Sequence, residues 1–187
     1  VGKLESDLQK AIRKLSDFFE DPKKRIILIK GYDDEAKLLA SLTATNSAFR
    51  KCIFLVNVMG EAARFVNNAV KKKVLPSSIN SKKEYPVGKM EMSFYSYATS
   101  SSVAYSGNED TCTIVCPIET VLDNNNRYEK FVAELKRIKS RKIILITTNE
   151  HSIENWDIEK YVDETYFYSV ENDNPELMNN MKKYGIL

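Results

Sequence analysis

Four short stretches of this chain, residues 25–30, 51–57, 111–117 and 142–149, are built mainly from Ile, Leu, Val, Phe and Cys with scarcely a polar break in their middles. A strand with one face in water alternates apolar and polar side chains, whereas one apolar throughout is covered on both faces, the situation of a parallel sheet flanked by helices. Between and around these runs the pattern changes to helical spacing. Leu4, Leu8, Ile12, Leu15 and Phe19 form a stripe that Asp21-Pro22 closes. Residues 34–45 and 61–72 read as two further helices. Asn124-Asn-Asn126 offers a cap, with Glu129 three residues after Asn126 in capping-box spacing, and the helix that follows ends in the basic turn of residues 137–141. Residues 152–162 read as a short helix, 164–170 as a last strand, and Asn174-Pro175 opens a closing helix that Gly185 stops. Residues 90–98 alternate Met90, Met92, Phe94 and Ser96 against Glu91, Ser93, Tyr95 and Tyr97, as a strand with an aromatic-rich face does. The expected fold is therefore α/β, a three-layer sandwich with a mainly parallel sheet flanked by helices. The expected organisation is an N-terminal helix in residues 1–22 and a single α/β domain in 23–187, with a lysine-rich loop at about 71–88.

A chain of 187 residues with 43% apolar and 29% charged residues can bury one substantial core. Its net charge of +2 excludes a strongly basic nucleic-acid coat and leaves room for local basic patches. No apolar run approaches the roughly 18 residues of a membrane span, and the first residues lack a signal-type apolar segment, so a cytoplasmic protein without membrane contact is expected. Cys112 and Cys116, four apart in a strand, face one side roughly 13 Å apart, too far for a disulfide and without zinc-ligand spacing. They read as buried thiols of a reduced compartment. Nucleophilic catalysis of the Ser/His/Asp or Cys/His kind would have to use His151, the single histidine, which has no acid–base partner nearby in sequence.

In such sheets ligands bind beyond the carboxyl ends of the strands, where Gly31, Pro117 and Asn149 fall. Gly31-Tyr-Asp-Asp-Glu-Ala36-Lys37-Leu38 has the first glycine and the lysine of a phosphate-binding loop, G-x-x-x-x-G-K-[ST], at the right spacing. Thr111-Cys-Thr-Ile-Val-Cys-Pro117-Ile-Glu119 is placed like a Walker B strand, and Ile143-Ile-Leu-Ile-Thr147-Thr148-Asn149 like a sensor-1 strand. With these three segments the chain resembles the ATPase core of the AAA-plus and RecA-like P-loop superfamily, over roughly residues 25–170. The resemblance implies that Lys37 reaches the β- and γ-phosphates next to Gly31, that Glu119 polarises water near the metal, and that Asn149 senses the γ-phosphate. It also exposes departures. Ala36 replaces the second glycine, Leu38 cannot bind magnesium, Asp33, Asp34 and Glu35 oppose a triphosphate, and Pro117 stands where an aspartate is expected. Read without the family, Asp33 or Asp34 caps a helix, Lys37 is a solvated helix residue, and Glu119 with Asp123 are ordinary helix-start carboxylates.

Lys71, Lys72 and Lys73, then Lys82 and Lys83, then Arg137, Lys139, Arg141 and Lys142 form three basic clusters that could track a nucleic-acid backbone. Tyr95, Tyr97, Tyr105, Tyr166 and Tyr168 offer stacking faces for single-stranded bases or, equally, a strand face packed under a helix. The expected function is a degenerate P-loop NTPase-like domain, a non-hydrolysing accessory or assembly component in DNA transactions. Two alternatives stand beside it: an active ATPase of the same fold, with ATP as cofactor, and a nucleic-acid-binding or protein-interaction module without nucleotide. Nucleic acid, a protein partner or a second copy of the chain are the partners these readings imply.

Overall fold

The four apolar runs lie side by side at the centre of a seven-stranded sheet. The computed structural model describes residues 4–101, 103–121, 124–148 and 156–185. In chain order the elements are α1 (Asp7–Glu20), β1 (Ile26–Lys30), α2 (Asp34–Ala48), β2 (Lys51–Val56), α3 (Ala62–Val70), β3 (Glu84–Val87), β4 (Met90–Ser96), β5 (Thr111–Val115), α4 (Asn125–Leu135), β6 (Lys142–Ile146), β7 (Glu164–Phe167) and α5 (Pro175–Lys183). Short 3-10 turns occupy Met59–Glu61, Glu119–Val121 and Ile158–Tyr161.

The strand order is β3-β4-β2-β5-β6-β1-β7, and every pairing is parallel except β3 with β4. Because parallel crossovers are right-handed, the direction in which each connection travels fixes the face its helix covers. The connections β1 to β2 and β2 to β4 run one way across the sheet, and β5 to β6 and β6 to β7 run the other. One core accordingly joins α1, α2, α3 and α5 to Ile27, Ile29, Phe54, Ile114, Ile144 and Ile146. The opposite core joins α4 and the 3-10 turn at Ile158 to Leu28, Leu55, Val115, Ile143 and Leu145. Successive residues of one strand thus enter different cores, the two-sided burial that the apolar runs require. The fold is α/β, a three-layer sandwich.

Helix α1 lies against α2 and is fixed at both ends. Ser6 and Gln9 form a reciprocal capping box at its start. At its other end Lys142, buried at the head of β6, donates from Nζ to the carbonyls of Phe18 at 2.8 Å and Asp21 at 2.6 Å, and to that of Lys24. Lys142, expected in a basic surface cluster, is a helix-closing group instead.

Several boundaries differ from the sequence reading. Leu4 does not join the apolar stripe and is exposed. The segment around Pro86, expected within a loop, contains β3, an edge strand that tolerates proline. Of the three asparagines offered as the cap of α4, it is Asn124 whose side chain accepts from the amides of Asn126 and Arg127, and the helix ends before the basic turn. Strand β7 stops at Phe167, and residues 152–155 of the expected short helix lie outside the described residues. All three cysteines are free and buried. Among the described residues no helix is long and apolar enough to cross a membrane.

Candidate functional site

Adjacent strands β1 and β6 send their connections to opposite faces, and such a divergence opens a crevice at the carboxyl ends of the strands. Gly31 follows β1 there, at φ +143°, where a Cβ would stand 2.6 Å from the carbonyl oxygen of Tyr168. Only glycine lets the chain leaving β1 pass the chain leaving β7 this closely.

Three residues later α2 begins. The Asp33 side chain caps it, accepting from the Ala36 amide at 2.9 Å and from Asn174 Nδ2 at 3.1 Å. The turn of chain between Gly31 and Lys37 is therefore mostly helix, and an aspartate carboxylate holds the helix end at which a phosphate binds in working loops. Lys37 falls in the first turn, and its side chain points back under the loop. It is fully buried, which corrects the expectation of a solvated helix lysine. Its ammonium donates to the Gly31 carbonyl and to Thr147 Oγ1 at 3.3 Å, and pairs with Asp34 Oδ1 at 3.1 Å.

Thr147 belongs to the exit of β6, where its amide and hydroxyl both donate to the Ile29 carbonyl of β1. The next residue, Thr148, donates from its amide to Glu119 Oε1 and from its hydroxyl to Glu119 Oε2 at 3.1 Å. Glu119 arrives on the 3-10 turn after β5, beyond the cis peptide Cys116-Pro117. Gly31, Lys37 and Glu119 therefore belong to one cluster at the ends of β1, β5 and β6, as the strand-end segments suggest. Asn149, like Asp123 and His151, lies outside the described residues.

Beside this cluster is a cavity of ≈ 360 Å³ bordered by Asp34, Glu35, Leu38, Arg64, Phe65 and Thr148, among others. Arg64 had no signal in the sequence, because its relevance comes from α3 crossing in front of α2. It bonds Glu61 through Nε at 2.7 Å and lies over the Phe65 ring. Cys116 also borders the cavity, and burial, with the Glu119 charge adding, raises its thiol to about 12, which disfavours the thiolate at neutral pH. Among the described residues the cavity thus faces two carboxylates and one arginine already paired with a glutamate. Among the described residues no group of three or more His, Cys, Asp or Glu side chains could hold a metal ion.

The basic clusters separate. Lys71, Lys72 and Lys73 at the end of α3 are exposed and share a shallow surface with Glu35, Asn67 and Asn68. Lys82 and Lys83 are exposed in the same connection, just before β3. Lys139, Arg141 and Lys142 border a different recess with Lys24 and Arg25, at the amino ends of the strands. Of the five tyrosines, Tyr97, Tyr105 and Tyr168 are buried. Comparison with protein-family models and with curated proteins found no match.

Proposed function

We propose that the chain is a P-loop-NTPase-like domain whose nucleotide site is closed, acting as a non-hydrolysing accessory or assembly component in DNA transactions. The observation that carries this reading is the state of Lys37. In the superfamily that this chain resembles, the equivalent ammonium meets the phosphates. Here the charge is matched from within by Asp34, Thr147 and the Gly31 carbonyl. Drawing it out toward a triphosphate breaks those contacts and brings the phosphates against Asp34 and Glu35, while the Asp33 carboxylate already satisfies the helix end. Leu38 leaves magnesium without its hydroxyl ligand. The exposed lysines of the α3–β3 connection support the nucleic-acid part of the proposal, since a short run of ammonium groups releases counterions on meeting a phosphate backbone.

Calorimetric titration with ATP and ADP, with and without magnesium, tests it. The expected result is no binding that depends on Lys37 at millimolar nucleotide, and no hydrolysis. Magnesium-dependent hydrolysis lost in Lys37→Ala would establish the active-ATPase alternative and overturn the proposal.

A further inference from the structure

A second crevice opens on the other face of the sheet. Strands β2 and β5 are neighbours, yet β2 connects toward α3 and β5 toward α4, so their carboxyl ends diverge just as those of β1 and β6 do. A cavity of ≈ 310 Å³ fills the divergence, at the lower end of the roughly 300–1,000 Å³ typical of small-molecule sites. Tyr97, Phe131 and Val121, all buried, form much of its wall, and Val58 stands exposed at its mouth. The rings of Tyr97 and Phe131 meet edge to face with centroids 6.0 Å apart. These surfaces suit a flat aromatic occupant.

Two of the polar groups along the wall, Asn57 and Glu134, offer acceptors. Asn57 Oδ1 is buried without a hydrogen-bond donor among the described residues, a condition that native interiors avoid unless something external supplies the donor. Glu134 keeps only 9% of its surface exposed and presents a carboxylate, an acceptor at both oxygens. One phenol already answers Glu134, Tyr105 donating to its Oε2 at 2.5 Å, and the other, Tyr97, donates to the Pro117 carbonyl at 2.6 Å, which leaves Glu134 Oε1 and Asn57 Oδ1. A flat occupant that answers these acceptors brings N–H donors on a planar edge. A guanidinium and a guanine-type base both carry a pair of such donors. The cations Arg127 and Lys130, one turn apart on α4, border the same cavity. They disfavour a guanidinium and favour a base that carries a phosphate.

We propose that this crevice binds a guanine-type base bearing a phosphate, with the N1–H and N2–H edge on Glu134, a donor supplied to Asn57 Oδ1, and the phosphate toward Lys130 and Arg127. An adenine base turns an acceptor nitrogen against the carboxylate and is rejected for that reason. The site is separate from the Lys37 cluster and does not depend on how that cluster is read.

The test is calorimetry on the full chain with GMP, IMP and AMP. Saturable GMP binding is expected, with IMP weaker because it lacks the N2 amine, and AMP weaker by about tenfold or more, as for loss of a paired base-edge contact. Glu134→Gln keeps an acceptor for Tyr105 and is expected to weaken GMP and narrow the gap to AMP. Lys130→Ala, an exposed change that leaves both cores untouched, is expected to weaken GMP while sparing guanosine. A single strand containing dG that binds tighter than GMP would identify a nucleic-acid strand as the source of the base, and equal affinity would identify the free nucleotide. No GMP binding at millimolar concentration, or AMP binding as well as GMP, overturns the proposal.

Discussion

Asp7 is a buried carboxylate at the start of α1 that holds the chain just before α5. It accepts from the Asn172 amide at 2.7 Å, from Asn172 Nδ2 at 2.8 Å and from the Asp173 amide at 3.0 Å, while Asp173 in turn accepts from the Leu8 amide. Burial pushes its pKa up, but the hydrogen bonds from Asn172 and Asp173 more than reverse this, leaving it below the usual aspartate range. A carboxylate with a depressed folded pKa contributes stability that is present above its unfolded pKa and lost as pH falls through the folded one. Thermal melts should thus fall as the pH drops below the ordinary aspartate range, and less steeply in Asp7→Asn. That variant should also lose about 1–3 kcal/mol at neutral pH, through the amides left facing a poorer acceptor. Nothing near Asp7 in sequence announces a partner 165 residues away. Lys37 has the same lesson at shorter range. Its spacing from Gly31 is legible, but the direction of its ammonium depends on α2 beginning at Asp34 and on Thr147 lying behind it.

At the scale of the element, the central strands should respond to truncation as a doubly covered sheet does. Leu28, Ile114 and Leu145 have no exposed surface and lie on β1, β5 and β6. Each change to alanine should cost about 2–5 kcal/mol in urea unfolding, since neither neighbouring strand can move in to fill the space. These strands were legible because an unbroken apolar run has few alternatives. Strand β3 was not. It is four residues long, contains Pro86, and pairs on one side only, to β4. Its strand character comes from that partner rather than from its own composition. The start of α4 was legible to within a run of three. Asn124, Asn125 and Asn126 are all competent caps, and the helix uses Asn124.

The molecule as a whole depends on α1 more than its terminal position suggests. Phe18 and Phe19 are buried, Phe19 meets the ring of Phe49 edge to face at 5.1 Å, and Lys142 of the central sheet closes the last turn. Deleting residues 1–21 should therefore broaden the unfolding transition or abolish it, read by circular dichroism in urea. A truncated chain that unfolds cooperatively but loses a binding partner would instead make α1 a docking element. From the sequence the helix was plain, and its attachment was not, because an apolar stripe has the same spacing whether it meets the parent sheet or a stranger.

The inward-turned lysine has a consequence for timing. Proteins that complete a charge pair with ATP take their shape from its concentration, through mass action. On the proposed reading this domain carries the opposing charge in its own sequence, as Asp34, at an effective concentration no dissolved nucleotide reaches. A partner that touches this corner meets the same surface whether the cell's ATP is plentiful or spent.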